Sequence, residues 1–210
     1  MKKSWMWLII FMLSTHLIPK ESKQILEPFD EKERYLLAVM PFEDKTKEQQ
    51  YQYLGNPVAD QMIYEIFSYQ RFRIIEREKL TAVLQELQIQ QTDYFKQETV
   101  SQLGKQLGAE LMLLGSIIHV SENKQKKSLG IISKEETTLE ISLEGRLVNL
   151  STGEILAISK WNGKEKTAVK KALGAVKEGE KNKDGLISNA LDRATKEMAY
   201  DICRQAPRKK

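Results

Sequence analysis

Apolar residues recur along the chain at two different spacings, one typical of strands and one typical of helices. Between residues 139 and 147, apolar side chains occupy alternate positions and mostly charged ones lie between them, which predicts a half-buried strand. Asn149 to Gly153 favour a turn, so residues 154–159 are predicted to return as the second strand of a hairpin. Further apolar runs predict buried strands at 35–42, 71–76 and 111–120.

Spacings of three and four residues predict four helices. The first is expected to begin at Asn56-Pro57, because Asn caps a helix well and proline suits the first helical position. Its apolar residues should form one wide buried face; they are Val58, Ala59, Met62, Ile63, Ile66 and Phe67. The same spacing predicts helices at 80–87, at 100–107 with Gly108 as C-cap, and at 187–202.

The order of these elements is strand, helix, strand, two helices, three strands and helix. Interleaving of this kind predicts an α/β protein, a compact sandwich with a mixed β-sheet packed by helices. The lysine-rich segments 121–137 and 162–185 are expected to lie outside the core. We therefore place a folded domain at 35–204 with a lysine-rich insertion at 162–185, preceded by a linker at 19–34 and followed by a basic tail at 205–210.

Residues 1–18 have the pattern of an export signal. Lys2 and Lys3 precede the apolar run Trp5 to Leu13, which is about half as long as the roughly 20 residues of a membrane-spanning helix. We expect export, with either a cleaved signal peptide or a retained N-terminal anchor. No cysteine follows the apolar run, so a lipid attachment site of the bacterial lipoprotein kind is not expected.

Composition argues against nucleic acid and metal binding. The chain has 33 Lys and Arg against 29 Asp and Glu, and much of the excess lies at its two ends rather than in a cluster with stacking aromatic residues. His16, His119 and Cys203 are the only histidine and cysteine residues, too few for a zinc site or an internal disulfide bond.

The sequence predicts no catalytic or cofactor-binding constellation. His119 lies on an apolar strand without a Ser or Asp at a spacing that would support catalysis. Gly104 to Gly108 lacks the spacing and the hydroxyl of a phosphate-binding loop, so helix capping explains it better. Glu78 is expected to complement a helix dipole, and Glu135-Glu136 to lie in a solvated loop. We predict no enzyme, no cofactor, no metal and no small-molecule substrate.

Two surfaces are predicted to make contacts. Aromatic residues in a polar loop suit an interface, with local packing of the rings as the alternative. The candidate partner or oligomer interface, on the loop Glu43 to Gly55 and the helix behind it, consists of Tyr51, Tyr53, Asn56, Gln61 and Glu65. Residues 166–177 surround an apolar helical stripe with lysines, which predicts a helix that either contacts an anionic membrane surface or is simply solvated.

Four segments taken together resemble the CsgG family, the curli production and secretion component of Gram-negative envelopes. They occur in the family's order: LLAVMPFED (Leu36 to Asp44), FRIIEREKLTAVLQEL (Phe72 to Leu87), LGKQLGAELMLLGSI (Leu103 to Ile117) and RLVNLSTGEIL (Arg146 to Leu156). The resemblance implies a periplasmic α/β domain that is not an enzyme. In the best-known members, copies form a ring that guides an unfolded polypeptide through the outer membrane.

The resemblance to pore-forming members is weakest at the places where they insert membrane hairpins, which match 121–137 and 162–185. The first segment is short for two membrane strands of about 9–11 residues each. The second carries seven lysines, and a lysine facing mid-bilayer lipid costs about 2–4 kcal/mol. We expect an exported protein of the periplasm or outer-membrane periphery, acting through protein partners or self-association in secretion or envelope assembly. An oligomeric outer-membrane secretion channel and a periplasmic activator of a cell-wall synthase are the alternatives.

Overall fold

The structure is a computed structural model that describes residues 23–90, 93, 96–129, 132–172, 175–177 and 183–210, with the backbone alone at 129, 170–172 and 175–177. The predicted export segment 1–18 lies outside these residues. The strands are β1 (Tyr35–Val39), β2 (Glu43–Asp44), β3 (Phe72–Ile74), β4 (Leu111–Leu129), β5 (Ile132–Asn149), β6 (Ile155–Ala172) and β7 (Ala175–Lys177). The helices are α1 (Gly55–Ser68), α2 (Arg77–Glu86), α3 (Gln97–Leu107) and α4 (Lys183–Gln205), with short 3₁₀ helices at Glu31–Glu33 and Gln49–Leu54.

The strands form one mixed sheet in the order β3-β1-β4-β5-β6-β7, with β2 paired to β4 beyond the end of β1. The pairs of β1 with β3 and with β4 are parallel, and the pairs from β4 to β7 are antiparallel. Leu147 marks the register in the centre, because it lies opposite Leu113 on one side and Ala157 on the other. The predicted α/β sandwich with a mixed sheet is confirmed.

Helices cover the two faces of the sheet unequally. Alternate residues of β1 and the residue after it show this division. Leu37 and Val39 pack with the cluster under α1 and α4, whereas Ala38 and Met40, which follows β1, pack with the cluster under α2 and α3. α4 lies across β5 and β6. On the opposite face, the α2 and α3 cluster includes only Val148 and Leu150 from the end of β5 and the turn that follows it, so most of β5 and β6 is uncovered there.

The three long strands continue well beyond the predicted core. Residues 121–129, 132–138, 166–172 and β7 form a largely polar extension of the sheet, here called the ribbon; its described side chains are exposed at 122–128, 132 and 166 and half-buried elsewhere. Glu135 and Glu136, expected in a solvated loop, lie in β5. The predicted basic helix at 166–177 is wrong, because its described residues belong to β6 and β7. Both faces of the ribbon are polar, so hydrophobic alternation gives no strand signal there, and backbone pairing decides the structure.

Glycine permits the backbone arrangement at one end of each of two helices. α1 begins at Gly55, one residue before the predicted Asn56-Pro57 start, because the preceding 3₁₀ helix runs directly into it. A Cβ at position 55 would overlap the carbonyl oxygen of Phe42. At the end of α3, Gly108 has φ +65° and adopts the predicted left-handed C-cap conformation.

Both flanks of the domain fold back onto it. Phe29, in the segment expected to be a linker, is buried in the core beneath the guanidinium groups of Arg71 and Arg208. In the basic tail, Lys209 Nζ lies 2.5 Å from a carboxylate oxygen of Glu110. Among the described residues, none of the helices combines the length and apolar character needed to cross a membrane.

A candidate protein-contact surface on the first helix

α1 has one side in the core and one side in solvent. Val58, Ala59, Met62 and Ile66 are buried. Asn56, Asp60, Tyr64 and Phe67 are exposed, and because they follow one another at intervals of four, four and three residues they lie along one line of the helix. Together with exposed Tyr53 just before the helix, these residues form a surface that we call the outer ridge.

Three aromatic side chains dominate the outer ridge. Tyr64 is 71% exposed, Phe67 is 66% exposed and Tyr53 is 56% exposed. Large aromatic rings contribute most to the centres of protein interfaces, where their burial removes much apolar surface from water. Two of them on the outer side of α1, with a third exposed just before the helix, make this surface suited to contact with another protein.

The N-terminal end of the outer ridge is held in place by α2. Arg77, the first residue of α2, places Nε 3.2 Å from a carboxylate oxygen of Asp60 and donates from Nη2 to the side-chain oxygen of Asn56. A cleft of about 470 Å³ separates the two helices at this point, lined by these three residues and by Pro41, Thr81 and Gln85 among others. Along α1 itself, the ridge thus presents polar groups in the first turns and aromatic groups in the last turns.

Tyr51 is not part of this surface. Its ring is 3% exposed and packs in the core, with Lys183 Nζ 5.4 Å from the ring centroid. Burial, followed by the charges of Glu48 and Glu122, raises the pKa of its hydroxyl. The prediction that Tyr51 meets a partner is therefore corrected, because the 3₁₀ helix Gln49–Leu54 turns this ring inward while Tyr53 faces solvent.

Gln61 and Glu65 also face inward, toward α4. Gln61 Nε2 donates to a carboxylate oxygen of Glu65 at 3.1 Å and to one of Asp192 at 3.3 Å. Glu65 is buried. These two predicted interface residues therefore join α1 to α4 within the chain, and of the five predicted residues only Tyr53 and Asn56 lie on the outer ridge.

Sequence reasoning missed Tyr64 and misplaced Phe67. Phe67 was assigned to the buried face, but that face is already filled by residues from Val58 to Ile66. The usable signal was the number of large apolar and aromatic residues in α1, which exceeds what one side of a 14-residue helix can bury.

The remaining candidates for chemistry occupy unremarkable positions. His119 is exposed on β4. Burial raises the pKa of the Cys203 thiol to about 12, so it is not an activated nucleophile. Within the part of the chain that the structure describes, no three His, Cys, Asp or Glu side chains are grouped to hold a metal ion.

Several solved structures share part of this fold. The hypothetical protein CT253 from Chlamydia trachomatis is 10% identical with a TM-score of 0.47, over 82% of this chain and 95% of that one. The LpoB C-terminal domain from Salmonella enterica is 15% identical with a TM-score of 0.44, over 64% and 86%. The PelC dodecamer from Paraburkholderia phytofirmans is 9% identical with a TM-score of 0.39, over 86% and 92%. No curated protein matches the chain.

A protein-family comparison is more informative than these partial likenesses. The model of the curli production assembly/transport component CsgG matches residues 20–209, nearly the whole chain. The match includes the four segments that carry the resemblance and extends over the outer ridge, the ribbon and α4. The chain belongs to the CsgG family.

Proposed function

We propose that this protein is an exported CsgG-type envelope component that acts by protein–protein contact in the secretion or assembly of an envelope structure. The observation that carries the proposal is the outer ridge of α1, with its three exposed aromatic rings in a chain that belongs to this family. We place the protein in the periplasm or at the periphery of the outer membrane.

The geometry supports a contact role because the ridge is exposed but firmly supported. The inner side of α1 is buried, Gln61 ties it to α4, and Arg77 ties its first turn to α2. A contact helix held by three parts of the domain loses little conformational freedom when it binds. The ridge also combines aromatic rings with the amide of Asn56 and the carboxylate of Asp60, and protein interfaces likewise contain both apolar and hydrogen-bonding groups.

The test compares the full-length protein, extracted from membranes in mild detergent, with a Tyr64→Ala/Phe67→Ala variant. We expect the variant to lose self-association, measured as mass by light scattering, or to lose the proteins that co-purify with the parent. The matched control is Ile132→Ala/Ile155→Ala, which removes exposed apolar side chains from β5 and β6 rather than from α1. If the ridge variant keeps both the mass and the co-purifying proteins of the parent, the proposal is wrong.

A secretion channel is the second candidate, favoured by the transport role in the family's description. A ring-sized mass together with conductance in lipid bilayers would support the channel, whereas a monomer or dimer would support an adaptor. Recovery of a cell-wall synthase as the co-purifying protein would instead support an activator role.

A further inference from the structure

The outer edge of β6 carries a second contact site that does not involve the outer ridge. Along Ile155 to Val169, β6 pairs with β5 on one side, and no described strand pairs with it on the other. β7 begins to pair only at Lys170. A strand with no described partner strand along one edge can offer backbone groups there to another extended chain.

One hydrogen bond shows which residues of β6 direct their backbone N–H and C=O groups toward the outer edge. Gln205 Nε2 donates to the carbonyl oxygen of Ile158 at 3.3 Å, so this carbonyl points away from β5. In an antiparallel strand, every second residue directs both its N–H and its C=O to the same edge. Lys160, Asn162, Lys164 and Lys166 therefore direct theirs outward, since the irregularity in the pairing lies before them, at Leu147 and Val148.

Charge alternates from strand to strand beside this edge, on the sheet face that α2 and α3 leave uncovered. Glu144 and Glu140 of β5 lie opposite Lys160 and Lys164 of β6, and Lys164 Nζ is 3.4 Å from Glu140. Lys166 Nζ lies 3.5 Å from Glu136. An acidic row is thus followed by a basic row, and a further strand with carboxylates would continue the alternation. Ile158, 59% exposed, adds an apolar position at one end of the basic row.

We propose that the outer edge of β6 binds an extended acidic segment of another protein by β-strand addition. The segment would place carboxylates beside Lys160, Lys164 and Lys166 and an apolar side chain beside Ile158, with main-chain hydrogen bonds to the outward groups of Lys160, Asn162 and Lys164, since the carbonyl of Ile158 already accepts from Gln205. A second copy of β6 does not fit, because antiparallel pairing would set lysines against lysines. The inference rests on the proposed function only in that it requires a protein partner.

The experiment uses the full chain and two short synthetic peptides. In one peptide Glu alternates with Thr behind a single Ile, and in the other Lys replaces every Glu. We expect the acidic peptide to bind at least about tenfold more tightly in fluorescence anisotropy, since three opposite-charge pairs replace three like-charge pairs. Its binding should also slow hydrogen exchange at the outward amides of residues 160–166.

Two variants separate the edge from the rest of the molecule. Lys160→Thr/Lys164→Thr/Lys166→Thr should abolish the preference for the acidic peptide, whereas Lys124→Thr/Lys126→Thr on β4 should preserve it. Tyr64→Ala/Phe67→Ala should also preserve it, so that failure of the ridge proposal and failure of the edge proposal can be told apart. Equal binding of the two peptides, or binding without slower exchange at residues 160–166, would overturn the inference.

Discussion

The same three strands, β4, β5 and β6, have a half that α4 covers and a half, the ribbon, that no described helix covers. In the covered half, residues facing α4 include Leu143, Trp161 and Gly163. In the ribbon, the described residues of β4 from Glu122 to Ser128 are exposed, and ion pairs such as Lys166–Glu136 replace apolar contacts. Backbone pairing continues without a break from one half into the other.

The difference shows that backbone pairing and side-chain burial contribute separately to the stability of this sheet. In the covered half, stability comes from apolar burial and from side-chain hydrogen bonds to α4. In the ribbon it comes from the backbone ladder and from solvated charge pairs, each of which contributes little. Substitutions at positions with the same strand geometry should therefore change the free energy of unfolding by very different amounts. The following predictions test that difference.

The largest effect is expected at Gly163, where α4 lies directly on β6. A Cβ at this position would overlap the carbonyl oxygen of Ala190. Gly163→Val should lower the free energy of unfolding by about 3 kcal/mol, because α4 would have to shift. The neighbouring Asn162 is exposed on the other face, so Asn162→Val should change it by less than about 0.5 kcal/mol. Equal effects in urea unfolding would refute the claim that packing against α4, rather than backbone pairing alone, stabilises the covered half.

A smaller loss is expected at Asp201 of α4. One carboxylate oxygen of Asp201 accepts hydrogen bonds from Trp161 Nε1 at 2.7 Å and from Ser159 Oγ at 3.1 Å. Asp201→Ala leaves both donors without this acceptor and should cost about 2 kcal/mol of unfolding free energy. The control is Arg204→Ala, which removes only an exposed ion pair to the same carboxylate and should therefore cost much less. If both variants unfold at the same urea concentration, the hydrogen bonds to β6 add no stability.

Alkaline pH should weaken the covered half through Cys203. Burial raises the pKa of this thiol from 9.0 to about 12. The unfolded chain therefore releases the proton near pH 9, while the folded chain keeps it, and the stabilising contribution is lost as pH rises from 9 toward 12. The slope is about 1.4 kcal/mol per pH unit. Unfolding free energies measured from pH 8 to 10.5 should show a shallower decline in Cys203→Ala; parallel curves would contradict this assignment.

The smallest effect is expected in the ribbon. The hydrogen bond and charge of Lys134, together with the charge of Lys166, lower the pKa of partly exposed Glu136. Solvent screens such pairs strongly. Lys166→Ala should therefore leave the urea midpoint unchanged within error at physiological salt. A clear loss of stability would mean that the ribbon is held by its ion pairs rather than by its backbone ladder.

The contrast also explains which parts of the fold could be predicted from the sequence. The core strand at 139–147 and the helix ending at Gly108 were predictable, because burial imposes a period on the side chains. The strand character of 166–172 was not, since lysines on both faces erase that period. Tyr51 and Tyr53 are the same residue type two positions apart, and the sequence does not show that the 3₁₀ helix Gln49–Leu54 buries the first ring and leaves the second in solvent.

Photo-crosslinking from the outer ridge tests the central claim most directly. A photoreactive residue replaces Tyr64 in the full-length protein in intact cells, and a matched one replaces Ile132, which is 53% exposed at the start of β5 in the ribbon. The account predicts a discrete crosslinked product from position 64, either a second copy or another protein, that Phe67→Ala diminishes. No product from position 64, or the same product from position 132, would contradict a contact surface on α1.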